Sequence, residues 1–161
     1  MKLRNLLVLA LLASLTSCFH GDHYEYLQRA EELTRQNKLD EAITLYRKHI
    51  DYRLSIKDRA EWENPYFYLL QIGDLQLQAG KVDEALKSFE LAEENKVDAV
   101  LISDRYRYVA SIYEKEGKLE DAINLLTKYR DRDPLLYDLT RDRIAKELVM
   151  KEDAAAKARK D

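Results

Sequence analysis

The chain has little that bends a backbone. Its 161 residues include only four glycines and two prolines. A β-sandwich or barrel needs many turn residues, so this composition argues against both and suits long helices. Cysteine is nearly absent: Cys18 is the only one, so no intrachain disulfide forms. No apolar run is long enough to span a bilayer. The longest, residues 6–15, falls short of the roughly 20 residues a spanning helix needs. The glycines, Gly21, Gly73, Gly80 and Gly117, all stand alone, so there is no glycine-rich phosphate loop. A formal charge of −3 with no basic stripe argues against nucleic acid as a partner.

What the chain does have is charge, 35% of its residues, and a repeated heptapeptide. Gly80-Lys81-Val82-Asp83-Glu84-Ala85-Leu86 recurs as Gly117-Lys118-Leu119-Glu120-Asp121-Ala122-Ile123, and earlier as Asn37-Lys38-Leu39-Asp40-Glu41-Ala42-Ile43. Helical periodicity flanks each copy. Tyr26, Leu27, Ala30 and Leu33 precede the first turn; Leu39, Ala42, Ile43, Tyr46 and Ile50 follow it. Leu69, Ile72, Gly73 and Gln76 lead to Gly80, and Val82, Ala85, Leu86, Phe89 and Ala92 answer them. Tyr106, Val109, Ala110 and Tyr113 lead to Gly117, followed by Leu119, Ala122, Ile123, Leu126 and Tyr129. Asn64-Pro65 is a helix-start signal, Asn as N-cap and Pro at the first helical position. The acidic pair after each turn suits the positive end of a helix. The expected fold is all-α.

These three copies resemble the tetratricopeptide repeat, a helix-turn-helix unit of about 34 residues. Ala30, Gly73 and Ala110 match the small residue of its first helix. Ala42, Ala85 and Ala122 match the alanine of its second. Asp133-Pro134 falls on the usual helix-ending proline. Small residues are needed because packed helices approach to about 8–10 Å. The departures are Gln76 in an aromatic place, and His49 and Tyr129 in small-residue places. Ala42 to Ala85 spans 43 residues and Ala85 to Ala122 spans 37, so both connections are lengthened. The first insertion covers roughly residues 52–63 and includes Trp62. It either extends helices or forms a loop.

The resemblance implies an α-solenoid of three repeats, about 23–56, 66–99 and 103–134. Residues 135–161 would supply a capping helix and a fraying tail, with Leu135, Leu136, Leu139, Ile144, Leu148 and Val149 as the covering stripe.

The N-terminus carries a second resemblance. A basic start with Lys2 and Arg4 precedes the apolar run, which ends in Leu15-Thr16-Ser17-Cys18. This resembles a bacterial lipobox. It implies a signal peptide over residues 1–17, cleavage before Cys18, and lipid on its sulfur. Two or more acyl chains make a stable anchor. Cleavage removes Lys2 and Arg4 and moves the formal charge from −3 to −5. Phe19, rather than Asp, after the lipidated residue favours the periplasmic face of the outer membrane. Residues 18–22 form a short tether. The competing reading is an ordinary secretory signal with a chance cysteine.

Nothing in the sequence forms a catalytic constellation, and no enzyme activity, metal or cofactor is expected. Cys18, His20, Asp22 and His23 have metal-ligand types, but a lipidated sulfur is a poor ligand and a polar tether explains them. The paired carboxylates at Glu31-Glu32, Asp83-Glu84 and Glu93-Glu94 read as solvated helix faces.

In the repeat family the first helices line a concave groove. The matching residues are Tyr24, Leu27, Glu31 and Thr34, then Phe67, Leu70, Asp74 and Leu77, then Asp104, Arg107, Ser111 and Glu114. The groove is expected to be aromatic near the membrane and polar beyond. The alternative is that Phe67 and Leu70 pack against the insertion around Trp62. The family's carboxylate clamp is missing, since Leu27, Glu31, Gln71 and Asp104 occupy its places. The expected function is a membrane-anchored scaffold that binds a protein partner in envelope assembly. The alternatives are a subunit or regulator of an envelope enzyme, and a self-associating homodimer.

Overall fold

A computed structural model describes residues 22–159. The described residues are all-α: seven α-helices and two short 3-10 turns, with no strand among them. The described residues divide into two compact units, one ending at Tyr68 and the other beginning at Leu69.

The first unit is built on two helices, α1 (Asp22–Arg35) and α2 (Leu39–Ser55). Ala30 and Leu33 of α1 are buried, as are Ala42, Ile43, Tyr46, His49 and Ile50 of α2. That is the i, i+3, i+4 stripe the sequence displays. Asn37 takes the turn at a left-handed φ of +58°. The Lys38 amide then donates to the Leu33 carbonyl at 2.8 Å, and the Asn37 amide to Thr34 at 3.0 Å. This pair of bonds closes a helix whose last carbonyls would otherwise be orphaned.

The insertion does both things open to it. Its first residues lengthen α2 to Ser55, and residues 56–64 form a loop. Arg59 caps the helix end, donating to the Arg53 carbonyl at 3.1 Å. Asn64 accepts from the Tyr66 amide at 3.1 Å, but Pro65 opens a 3-10 turn (Pro65–Phe67) before α3 (Tyr68–Gln78) begins.

The second unit holds the rest of α3, then α4 (Val82–Glu94), α5 (Ala99–Lys115), α6 (Leu119–Lys128) and α7 (Pro134–Ala158). The same turn recurs twice. Gly80 and Gly117 sit at φ of +74° and +76°. Lys81 donates to Gln76 and Lys118 to Tyr113, each at 2.8 Å. The end of α4 uses the same bonds without a glycine: Lys96 stands at φ +61°, and Val97 donates to Ala92 at 3.0 Å. A side chain at positive φ is strained. Lys96→Gly should therefore stabilise the protein by about 0.5–1 kcal/mol, and Gly80→Ala should cost about as much. Urea midpoints check both signs.

The departures from the repeat pattern are explained by packing. Gln76 is buried and accepts from the Ser88 hydroxyl at 2.6 Å, so a polar pair joins α3 and α4 where a ring is usual. Tyr129 is buried and stacks on Tyr106 with centroids 3.6 Å apart, nearly parallel. Its hydroxyl donates to Glu90, and Lys128 donates to the same carboxylate at 2.7 Å. The second lengthened connection is absorbed at the start of α5, where Asp98 accepts from the Val100 amide at 2.8 Å.

The last helix departs from the expected stripe. Tyr137 and Ile144 are its fully buried side chains, whereas Leu135 and Leu139 are 69% and 62% exposed and Val149 is exposed too. Tyr137 donates to the Ser103 carbonyl at 3.0 Å, tying α7 to α5. Of the expected stripe Ile144 is buried and Leu148 half-buried, whereas the core place near the start of the helix goes to Tyr137 and not to the leucines beside it. No helix among the described residues is long and apolar enough to cross a membrane.

Candidate functional site

The first unit contains an open cleft of about 830 Å³. One wall is α1, with Tyr24, Leu27 and Glu31 at the one-turn spacing that puts them on a single face. The end of α2 contributes His49 and Arg53. The insertion and the 3-10 turn contribute Trp62, Glu63, Phe67 and Tyr68.

The insertion is held to α2 by a two-pronged ion pair. Arg53 Nε donates to Glu63 Oε1 at 2.6 Å, and a terminal nitrogen donates to the other oxygen. Both side chains are mostly buried. The bonds from Arg53 hold the Glu63 carboxyl below the usual carboxylate range, against the opposing effect of burial. This pair stabilises the fold above the unfolded carboxylate pKa of about 4.3, and its contribution is lost as pH falls through the lower folded value.

Tyr68 is the hub of the cleft's aromatic floor. His49 meets it edge-on at 4.6 Å, Tyr46 lies near-parallel at 6.0 Å, and Phe67 meets it edge-on at 6.0 Å. Burial raises the Tyr46 and Tyr68 phenols, and the Glu31 charge adds to both shifts. The outer rings are open to solvent: Trp62 is 87% exposed, Tyr24 63% and Phe67 41%.

Four of the expected groove residues, Tyr24, Leu27, Glu31 and Phe67, line this one cleft. Thr34, also on α1, donates to the Ala30 carbonyl at 2.9 Å, and the remaining ones lie in the second unit, in different surroundings. Leu70 is fully buried and serves the core. Asp74 accepts from Arg105 at 2.8 Å. Leu77 is half-buried. Arg107 pairs with Asp104, and Ser111 donates to the Tyr108 carbonyl at 2.7 Å. Glu114 is held by Arg143 of α7, with one of its two bonds at 2.8 Å. Cys18 lies outside the described residues.

Trp62, Tyr68, His49 and the Arg53–Glu63 clasp were not among the expected site residues. A lone tryptophan inside an insertion was a signal for the first. The clasp joins residues on either side of a loop and has no spacing rule to reveal it.

A second hollow, of about 500 Å³, lies in the second unit beside the Gly80 and Gly117 turns. Lys118 there pairs with Glu116 at 2.8 Å and lies over the Tyr113 ring. It offers no exposed aromatic anchor. Among the described residues no cluster of three or more His, Cys, Asp or Glu side chains could hold a metal ion. Comparison with known proteins returns no match, either to a family model or to a curated sequence.

Proposed function

We propose that the chain is a lipid-anchored, non-enzymatic scaffold of tetratricopeptide-like repeats that holds a partner protein at the cell envelope. The observation that carries this reading is the cleft of the first unit. Exposed aromatic side chains gathered in one concavity are the usual anchors of a protein interface. The solenoid arrangement is supported by three turns with the same bonds and by alanine or glycine at the helix crossings. The anchor reading rests on residues 15–18 and on Cys18.

A pull-down from membranes tests the cleft. Trp62→Ala combined with Phe67→Asp is expected to lose the proteins that the wild-type chain recovers, with the melting temperature kept within a few degrees. Recovery of the same proteins would remove the cleft from the account. Cys18→Ala is expected to shift the protein from the membrane to the soluble fraction and to abolish palmitate labelling. A variant that still pellets with membranes would overturn the anchor.

A second reading is favoured by one observation. Leu135, Leu139, Val149 and Met150 leave α7 with exposed apolar side chains. Self-association through α7 would cover them, and light scattering on residues 19–161 would then give twice the monomer mass.

A further inference from the structure

The cleft of the first unit holds one carboxylate, Glu31, that forms no ion pair among the described residues and feels Arg35 only as a weaker, secondary charge. Glu63 is engaged by Arg53. Arg35, one turn beyond Glu31, pairs with Glu32 at 2.7 Å instead. Among the described residues no cation pairs with Glu31, which is exposed on the cleft wall. The exposed rings of Tyr24, Trp62 and Phe67 line the same cleft.

Carboxylate and rings select the same ligand chemistry. Aromatic faces carry negative charge density and attract cations within about 6 Å of the ring centre. A carboxylate accepts two parallel N–H bonds from a guanidinium. An anion would be repelled by Glu31. A wholly apolar occupant would strip water from that carboxylate and return nothing. An ammonium is compact and strongly hydrated, whereas a guanidinium is planar, weakly hydrated and stacks on rings.

We propose that this cleft receives an arginine side chain of the partner polypeptide, its guanidinium stacked on Trp62 and hydrogen-bonded to Glu31. The proposal rests on the cleft being a protein-docking site and names what is recognised there. The chain is itself acidic, with a formal charge of −3, which favours the approach of a basic segment.

Trp62 is the only tryptophan, so its fluorescence reports on this site alone. The probe is N-acetyl-arginine amide, titrated into the full chain in detergent. Its neutral isostere, N-acetyl-citrulline amide, is the comparison. The arginine probe should change the emission saturably, and the citrulline probe should bind about tenfold more weakly, which is about 1.4 kcal/mol. Glu31→Gln keeps the shape of the cleft and should weaken the arginine probe to a similar degree. Equal response to the two probes, an unaffected Glu31→Gln variant, or no saturable change would each overturn the proposal. The two readings fail separately. If the Trp62 and Phe67 substitutions abolish partner capture while the arginine probe is silent, docking stands and arginine recognition falls. If the probe binds and capture ignores those substitutions, arginine recognition stands and the docking reading falls.

Discussion

Truncating Tyr137 to alanine should destabilise the protein by about 3–5 kcal/mol, the range for removing a fully buried ring. Tyr137 has no exposed surface and bonds Ser103 twice over: its hydroxyl donates to the carbonyl at 3.0 Å and accepts from the side chain at 3.3 Å. Alanine removes the ring that fills the space between α7 and α5, and strands the Ser103 groups as well. Tyr137→Phe keeps the ring and should cost about 1–2 kcal/mol. The contrast is with Leu139, the residue the sequence pattern favours. It is 62% exposed, so Leu139→Ala should change stability by no more than about 0.5 kcal/mol. Urea denaturation of the three variants checks the order. If Leu139→Ala proved the most damaging, α7 would pack on a different face.

Gly73→Ala should also destabilise, although helix propensity predicts the reverse. Alanine in a helix interior is favoured over glycine by about 1 kcal/mol. Here the added β-carbon would overlap the ring of Phe89, lying 2.6 Å from Cζ and 2.8 Å from Cδ1. Phe89 is fully buried, so its ring cannot swing into solvent. Overpacking of this kind costs about 1–3 kcal/mol, and it should outweigh the propensity gain. For a chain of this length each kcal/mol lowers the melting temperature by roughly 2–4 °C. The double variant Gly73→Ala with Phe89→Leu should recover part of the loss relative to Phe89→Leu alone. Absence of that coupling would mean that the two residues do not touch.

Gly73 shows what the sequence made legible. A glycine aligned with Ala30 and Ala110 marks a helix crossing, and the large partner across it, Phe89, stands in the same pattern. The three turns were legible for a similar reason. Asn37, Gly80 and Gly117 are types that tolerate positive φ, and each precedes an acidic helix start. Lys96 was not legible, because its turn is imposed by the same bonds without a residue that favours it. Tyr137 was missed because leucines spaced three and four apart formed a plausible stripe on the neighbouring face. Only the contact with Ser103, 34 residues away, decides between the faces. The cleft was half legible. Helical spacing placed Tyr24, Leu27 and Glu31 on one face of α1, and Phe67 followed by analogy. Leu70 is fully buried while Phe67 is 41% exposed, a difference set by the 3-10 turn that ends at Phe67 and not readable from their three-residue spacing. Trp62 and the clasp that positions its loop depend on how residues 56–64 fold back onto α2, which no periodicity encodes.

The proposed partner site is the aromatic cleft of the first unit. Photocrosslinking in membranes tests it most directly, with p-benzoylphenylalanine in place of Trp62 and, separately, in place of Lys87, which is exposed on α4. An adduct with one defined protein is expected from position 62 and none from position 87. No adduct at position 62, or the same adducts from both positions, would contradict it.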